Sequence, residues 1–409
     1  MSTPNDTVIN VVNDNTQYEY WTKQLPNLLI KAGPTSSMIT NRESTEGTDY
    51  SFKVVVRRNP GISYVEDGAA YPNAGQQTYA TAKIYMRYLA AKLPVTLGVA
   101  YGITGQGASV VDEPSFELEG KIDNAMKLEN WMVFGNGTGK VATVKSGSTS
   151  TTLIVDDGRM VFPGGSYDIY NGSTFVETVS VSNVDLSPSS NGWATVTLTA
   201  APAASMVSGY SVIWGGSYNR APAGLLSMID NTATTFQNIN VSTYKNYSSL
   251  VLAPYSSTSP GALTSSLFRK MMAGLKNKNG NDFTVSPTLV SCFSMMSNME
   301  EMYENALRID TSTTVNGVEI QSFQSALGKV NLMADADAPF NTLFCVDFGD
   351  LGVRQFKDFG PVDGGPLFLR SVDQLKYTAN LLGMKQNYIQ RRTTSARIDN
   401  IAIDAVQQG

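Results

Sequence analysis

Asp123-Asn124-Ala125-Met126-Lys127-Leu128-Glu129-Asn130-Trp131-Met132-Val133-Phe134-Gly135-Asn136-Gly137-Thr138-Gly139 is the stretch on which the fold turns. Upstream, Asp112-Glu113-Pro114 supplies a helix start: an Asp cap, an acid in the first turn and a proline near the beginning. Leu118, Ile122, Ala125, Met126, Met132 and Val133 then recur at helical spacing. Gly135-Asn136-Gly137 stops the run. The pattern predicts one long helix, the longest in the chain. Glu117 and Glu119 sit two apart and point different ways, so they suit the helix dipole and not an acid/base pair. Gly135 to Lys140 has the look of a phosphate loop, but Phe134 and Val141 stand where that motif needs Gly and Ser or Thr.

Before this helix, residues 1–45 are polar and interrupted, with one apolar patch at Leu25 to Ile30. They read as an arm. Ser51 to Arg57 and Thr78 to Leu93 are rich in β-branched and aromatic residues and read as strands. Between them Asn59 to Gln77 carries glycines at 61, 68 and 75 and prolines at 60 and 72, which makes a long hairpin with a wide loop. It has too few apolar residues to bury itself, so it invites pairing with a neighbour.

After the helix, residues 141 to about 217 turn rich in Ser, Thr, Val and Gly. Short alternating runs at 152–155, 167–170, 175–181, 194–198 and 211–214 are separated by Asp157-Gly158, Asn171-Gly172 and Asn191-Gly192. This predicts an inserted all-β module of about five strands. The chain then becomes mixed. Leu267, Met271 and Leu275 mark a helix closed by Gly280, and Met299, Met302, Tyr303 and Leu307 mark another. Strands are expected at 288–293, 318–320, 330–333 and 343–348, a long strand or bent pair at 374–391, and a closing strand at 396–405.

Composition removes several chemistries. Among 409 residues there is no histidine, which excludes Ser-His-Asp and Cys-His sets, His-ligated metals and imidazole shuttles. Charged residues are only 16% of the chain and the net charge is -5, unlike a sequence-reading nucleic-acid binder. The thin charge suggests a surface covered by copies of the same chain. No apolar run approaches the roughly 20 residues of a membrane helix. Cys292 and Cys345 lie in apolar runs and read as buried free thiols in a reducing compartment. The methionines at 271, 272, 295, 296 and 299 read as core. Asp335 and Asp337 lack the further ligands of a calcium loop and read as a solvated turn; Asp347 and Asp350 flank another turn. No catalytic residue, cofactor site or metal site emerges. What remains are subunit-contact candidates: Arg57, Arg58, Tyr64, Glu66, Asp67 and Tyr71 around the hairpin, and Arg391, Arg392 and Arg397 near the C-terminus. Arginines facing Glu66 and Asp67 of a neighbour would set register more than strength, at about 0–1 kcal/mol per exposed pair. With no imidazole present, carboxylates such as Glu66 and Asp67 are the expected source of any acid sensitivity.

Arm, long hairpin, long helix with a Gly-Asn-Gly stop, then a mixed α/β region is an order of parts that resembles the major capsid protein of tailed bacteriophages, a shell fold shared with herpesviruses. Asp123 to Gly139 looks like the end of that family's spine helix. Ala223-Gly224-Leu225-Leu226 resembles the segment that follows it, and Tyr167 to Gly172 resembles insertions seen at this junction. The resemblance implies an α+β chain with an N-terminal arm (1–45), an extended E-loop hairpin (46–92), a P-domain with the spine helix (93–140), an inserted β domain (141–217), a P-domain return (218–250), an A-domain (251–350) and closing P-domain/A-domain strands (351–409). It implies no enzymatic activity, and self-assembly into pentamers and hexamers of an icosahedral virion shell around double-stranded DNA, touched non-specifically. Synthesis in the host bacterial cytoplasm is implied, with no membrane, and with a separate scaffold, a portal and a decoration protein as further partners. Some relatives crosslink a loop lysine to an asparagine of a neighbour; here Lys53 and Lys83 lie on the stems with no lysine from 54 to 82, so no such crosslink is expected. An alternative from the residues themselves is a surface adhesin gripping glycans through Tyr170, Trp193 and Trp214 of the 141–217 module. A carboxylate-dependent hydrolase lacks a paired-acid constellation.

Overall fold

The computed structural model describes residues 33–44, 49–96, 113–187, 194–254, 260–280, 287–303, 309–315, 318–325, 328–361, 369–370 and 376–402. The Leu25–Ile30 patch, the Asp112 cap, Trp193, Leu307 and the last residues of the closing strand lie outside these.

The expected long helix runs from Glu113 to Phe134, 22 residues. Its buried side is carried by Ala125, Leu128, Trp131, Met132, Val133 and Phe134. Met126, expected on that side, is 56% exposed, while Lys127 and Asn130 are buried. The polar pair is tolerated inside because it meets carboxylates, as described below. Gly224 shows why a glycine follows the helix: a Cβ there would lie 2.4 Å from the carbonyls of Met132 and Gly135. Leu225, next in line, is fully buried against the same helix end.

Two cores flank this helix. The larger one is built on a seven-stranded sheet ordered Leu250–Leu252, Ala396–Ile398, Leu343–Val346, Thr288–Ser291, Gly328–Ala334, Val318–Ser325 and Ile309–Val315. Helices Ser265–Asn279 and Phe293–Tyr303 pack on it. The methionines at 271, 272, 295, 296 and 299 and both cysteines are buried in this core, as the sequence suggested. Thr264 caps the first helix by accepting from the Leu267 N–H, and Gly280 ends it at φ +61°.

The smaller core belongs to the insertion. It has six strands, one more than expected: Lys140–Thr143, Thr152–Val155, Ser166–Asn171, Thr174–Asp185, Ala194–Leu198 and Ser211–Trp214. Their order is first, sixth, third, fourth, fifth, second. The ends of this sheet meet, because Lys145 N–H donates to the Ile154 carbonyl at 2.7 Å and Asp156 N–H to the Thr143 carbonyl at 3.0 Å. The module is therefore a closed antiparallel barrel with no free edge. Alternate residues fill it, among them Val144, Leu153, Val155, Ile169, Val181 and Val196. First and last strands are neighbours, so the chain leaves the barrel where it entered: Trp214 N–H donates to the Gly139 carbonyl and Asn219 N–H to the Thr138 carbonyl, both at 3.1 Å.

A further sheet runs Asn41–Ser44, Leu351–Pro361, Lys376–Ile389 and Leu369–Arg370, and Arg87–Thr96 also pairs with Lys376–Ile389. The described part of the 374–391 region is thus one long strand, Lys376–Ile389. Thr78 to Leu93, read as one strand, is split at Met86: Thr78–Tyr85 pairs with Asp49–Arg57 to form the hairpin, and Arg87–Thr96 joins this other sheet.

Candidate functional site

The hairpin stem has two unlike faces. Tyr50, Phe52, Val54, Ala80, Ala82 and Ile84 alternate toward the body. There Phe52, Val54, Ala80 and Ala82 meet Ile239, Val241 and Tyr247. Tyr50 and Phe52 lie against Tyr388, with ring centroids 6.3 and 5.8 Å apart, and the Arg354 guanidinium covers Tyr50 at 3.6 Å. On the opposite face Val55, Tyr79 and Tyr85 are each more than half exposed.

Beyond the stem the loop narrows at Gly61 and Gly75. A Cβ at Gly61 would meet the Gly75 nitrogen at 2.5 Å, and one at Gly75 would meet Asn59 Oδ1 at 2.3 Å, so the two chains pass here as bare backbone. Past this neck Ile62 is 84%, Tyr64 105% and Tyr71 94% exposed. Arg57, Arg58, Glu66 and Asp67 are exposed beside them. Only local hydrogen bonds are found in the tip, such as Ala69 N–H to the Glu66 carbonyl at 3.0 Å. Large apolar side chains held out in water by a glycine neck are what an intermolecular contact needs and what a lone subunit does not.

The C-terminal arginines are not alike: Arg392 and Arg397 are tied into the subunit, while Arg391 is half exposed. Arg392 is fully buried. Its Nε donates to the Met228 carbonyl at 2.7 Å and Nη2 to the Asp230 carbonyl at 2.7 Å, with Ser227 and Tyr247 carbonyls at 3.4 Å. Burial pushes its pKa down to about 10, and its guanidinium stacks on Phe236 at 4.3 Å. Arg397 is enclosed by Asp399 at 2.9 Å and Asp230 at 3.5 Å. Both are internal ties. Arg391 stays half exposed while its Nε donates to Asp350 at 2.9 Å.

The solvated turn expected at Asp335 and Asp337 is overturned: both carboxylates are buried. Asp335 Oδ2 accepts the Thr35 N–H at 3.0 Å and also its hydroxyl. Asp337 Oδ2 accepts Asn130 Nδ2 at 2.6 Å and the Gly33 N–H at 3.1 Å, while Oδ1 pairs with Lys127 Nζ. The sequence signal missed was the pair Lys127 and Asn130, one helical turn apart inside an apolar stripe. Asp347 and Asp350 are buried as well. Burial pushes the Asp347 carboxyl up; Asp350 is held by Arg391 and by the Thr394 hydroxyl at 2.6 Å.

On the barrel, Tyr170 stacks on Tyr218 with centroids 4.0 Å apart, and Trp214 is wedged edge-on against Phe162 and Tyr167. These rings satisfy one another. Among the described residues no group of three or more Cys, Asp or Glu is placed to hold a metal, and no helix is long and apolar enough to cross a membrane.

Residues 204–367 match the family model described as SU10 major capsid protein. No curated protein matches this chain. Among solved structures it is similar to the capsid asymmetric unit of cyanophage A-1(L), with TM-score 0.58 and 12% identity over 94% of this chain and 97% of that one. It is also similar to the capsid of the native GTA particle, with TM-score 0.50 and 10% identity over 94% of this chain and 95% of that one. The described residues therefore share the α+β fold of these capsid chains, and nothing in these matches points to an adhesin.

Proposed function

We propose that this chain is a shell-forming major capsid protein of the tailed-phage type, whose copies join as pentamers and hexamers of an icosahedral virion shell enclosing double-stranded DNA. The observation that carries this is the 58–77 tip, whose exposed aromatics have no seat among the described residues. Laid over an adjacent copy, Ile62, Tyr64 and Tyr71 bury apolar area at about 25 cal/mol per Å² before association costs. Arg57 and Arg58 then face the neighbour's acids, with Glu66 and Asp67 offered in return, and Arg391 keeps an exposed side for the same use. The arm upstream of Gly33 reaches another copy, and the 251–350 region meets its equivalents at the capsomer centre.

The role is structural and not catalytic. Contact with DNA is weak per subunit, since the chain carries a net charge of -5. A separate scaffold, a portal and a decoration protein complete the partners, and synthesis takes place in the host bacterial cytoplasm. The test is to replace residues 58–77 with a short turn and examine the purified protein by negative-stain microscopy. A folded subunit that forms no closed shells is the expected result; shells of normal size and yield would remove the hairpin from the assembly mechanism.

A further inference from the structure

We infer that the turn Asp335–Ala338 couples two parts of the subunit, so that docking of the arm and seating of the barrel are held through one set of atoms and strengthen each other. Successive residues of this turn face in two directions. The carboxylates of Asp335 and Asp337 hold the arm at Gly33 and Thr35 and the long helix at Lys127 and Asn130. The carbonyls between and after them, Ala336 and Ala338, are held from the barrel by Arg159, the latter at 2.9 Å from Nη2.

Arg159 is itself fixed on every side. Asp157 takes its Nε at 3.0 Å and its Nη2 at 2.6 Å. Its guanidinium lies 3.9 Å from the Phe340 ring centroid and 5.1 Å from that of Trp131, the residue after Asn130. Inside the turn, Asp337 N–H donates to Asp335 Oδ1 at 2.8 Å and Ala338 N–H to the Asp335 carbonyl at 3.2 Å. A shift of Ala336 and Ala338 by the barrel therefore moves both carboxylates that the arm uses. On the arm side there is no slack: a Cβ at Gly33 would lie 1.9 Å from Asp335 Oδ1. Planar, multidentate Arg159 suits this role, where a lysine would give one point of contact. The inference concerns the single subunit and stands apart from how shells are built.

Hydrogen exchange resolved to single amides tests it on the unassembled full chain. The N–H groups of Gly33, Thr35 and Ser36 all donate to side chains of this junction, the last to Asn130 Oδ1 at 3.0 Å. In Arg159→Ala these three should exchange faster by a factor within about 5–150, the usual range of coupling between sites. Arg159→Lys should show the same pattern at smaller size. Reciprocity requires that Gly33→Ala speed exchange at the Arg159 amide, which donates to Asp157 at 3.1 Å. Amides of Thr288–Ser291, in the middle of the seven-stranded sheet, serve as the control. Unchanged arm amides in both Arg159 variants would overturn the coupling. So would an acceleration of equal size at the arm and at Thr288–Ser291, which would mean general loosening.

Discussion

The hairpin tip and the Asp335–Ala338 turn invert each other. The tip carries Ile62, Tyr64 and Tyr71 and holds them in water; the turn carries two aspartates and buries them completely. Residue type alone would assign each the opposite place. The difference lies in available partners. Lys127, Asn130, Thr35 and Gly33 converge on the turn and satisfy its oxygens, which removes most of the cost of burial. Among the described residues nothing converges on the tip, which leaves Ile62, Tyr64 and Tyr71 exposed beyond its glycine neck. One region is satisfied within the subunit; the other is left exposed by it.

That contrast can be broken at several points. The largest effect is expected for Asp337→Ala, which leaves the Lys127 ammonium buried without its carboxylate. The unassembled subunit should lose about 3–5 kcal/mol, read as a fall in its urea midpoint. Replacing Lys127 and Asp337 together by leucine should cost less than Asp337→Ala, because the buried ammonium is removed along with its carboxylate. Arg392→Ala strips the donors from four carbonyls and should cost about 3 kcal/mol by the same measurement.

A smaller effect follows pH. Burial alone would raise the Asp230 carboxyl, but donation from the Ala233 and Thr232 N–H groups and the Thr232 hydroxyl, with the charge of Arg397, outweighs it and holds the group below its ordinary 3.8. A lowered folded value means that the stabilisation is present above pH 3.8 and is lost as pH falls through the folded value. Melting of wild type and Asp230→Asn should therefore differ above about pH 4 and converge in stronger acid. Smallest of all, Tyr64→Ser with Tyr71→Ser should leave the subunit's melting within about 0.5 kcal/mol of wild type. Sedimentation of the same sample should show a marked loss of shells. A clear destabilisation of the lone subunit would mean that the tip has a seat on its own chain after all.

Much of the architecture could be read from the order of residues. The long helix, its Gly135–Gly137 stop, the hairpin around glycine-rich 58–77, the methionine core and the all-β character of 141–217 rest on periodicity and turn chemistry. These are local properties, recorded in neighbouring residues. Closure of the barrel was not legible, because the bonds joining 143–145 to 154–156 depend on how six strands tilt and not on any one of them. Nor was the fate of the contact candidates. Arg57 and Arg391 look alike as sequence, and so do Arg391 and Arg392. Yet Arg392 points into a ring of carbonyls from residues 227–230 and 247, more than 140 positions away.

By itself the sequence determined that this chain has no histidine chemistry, that one long helix organises it, and that a wide hairpin cannot bury its own aromatics. Only the tertiary structure decided which charges stay exposed and which lock the subunit. A charge can be buried only where donors or counter-charges from distant segments arrive at hydrogen-bonding distance, and the chain's order does not record those arrivals.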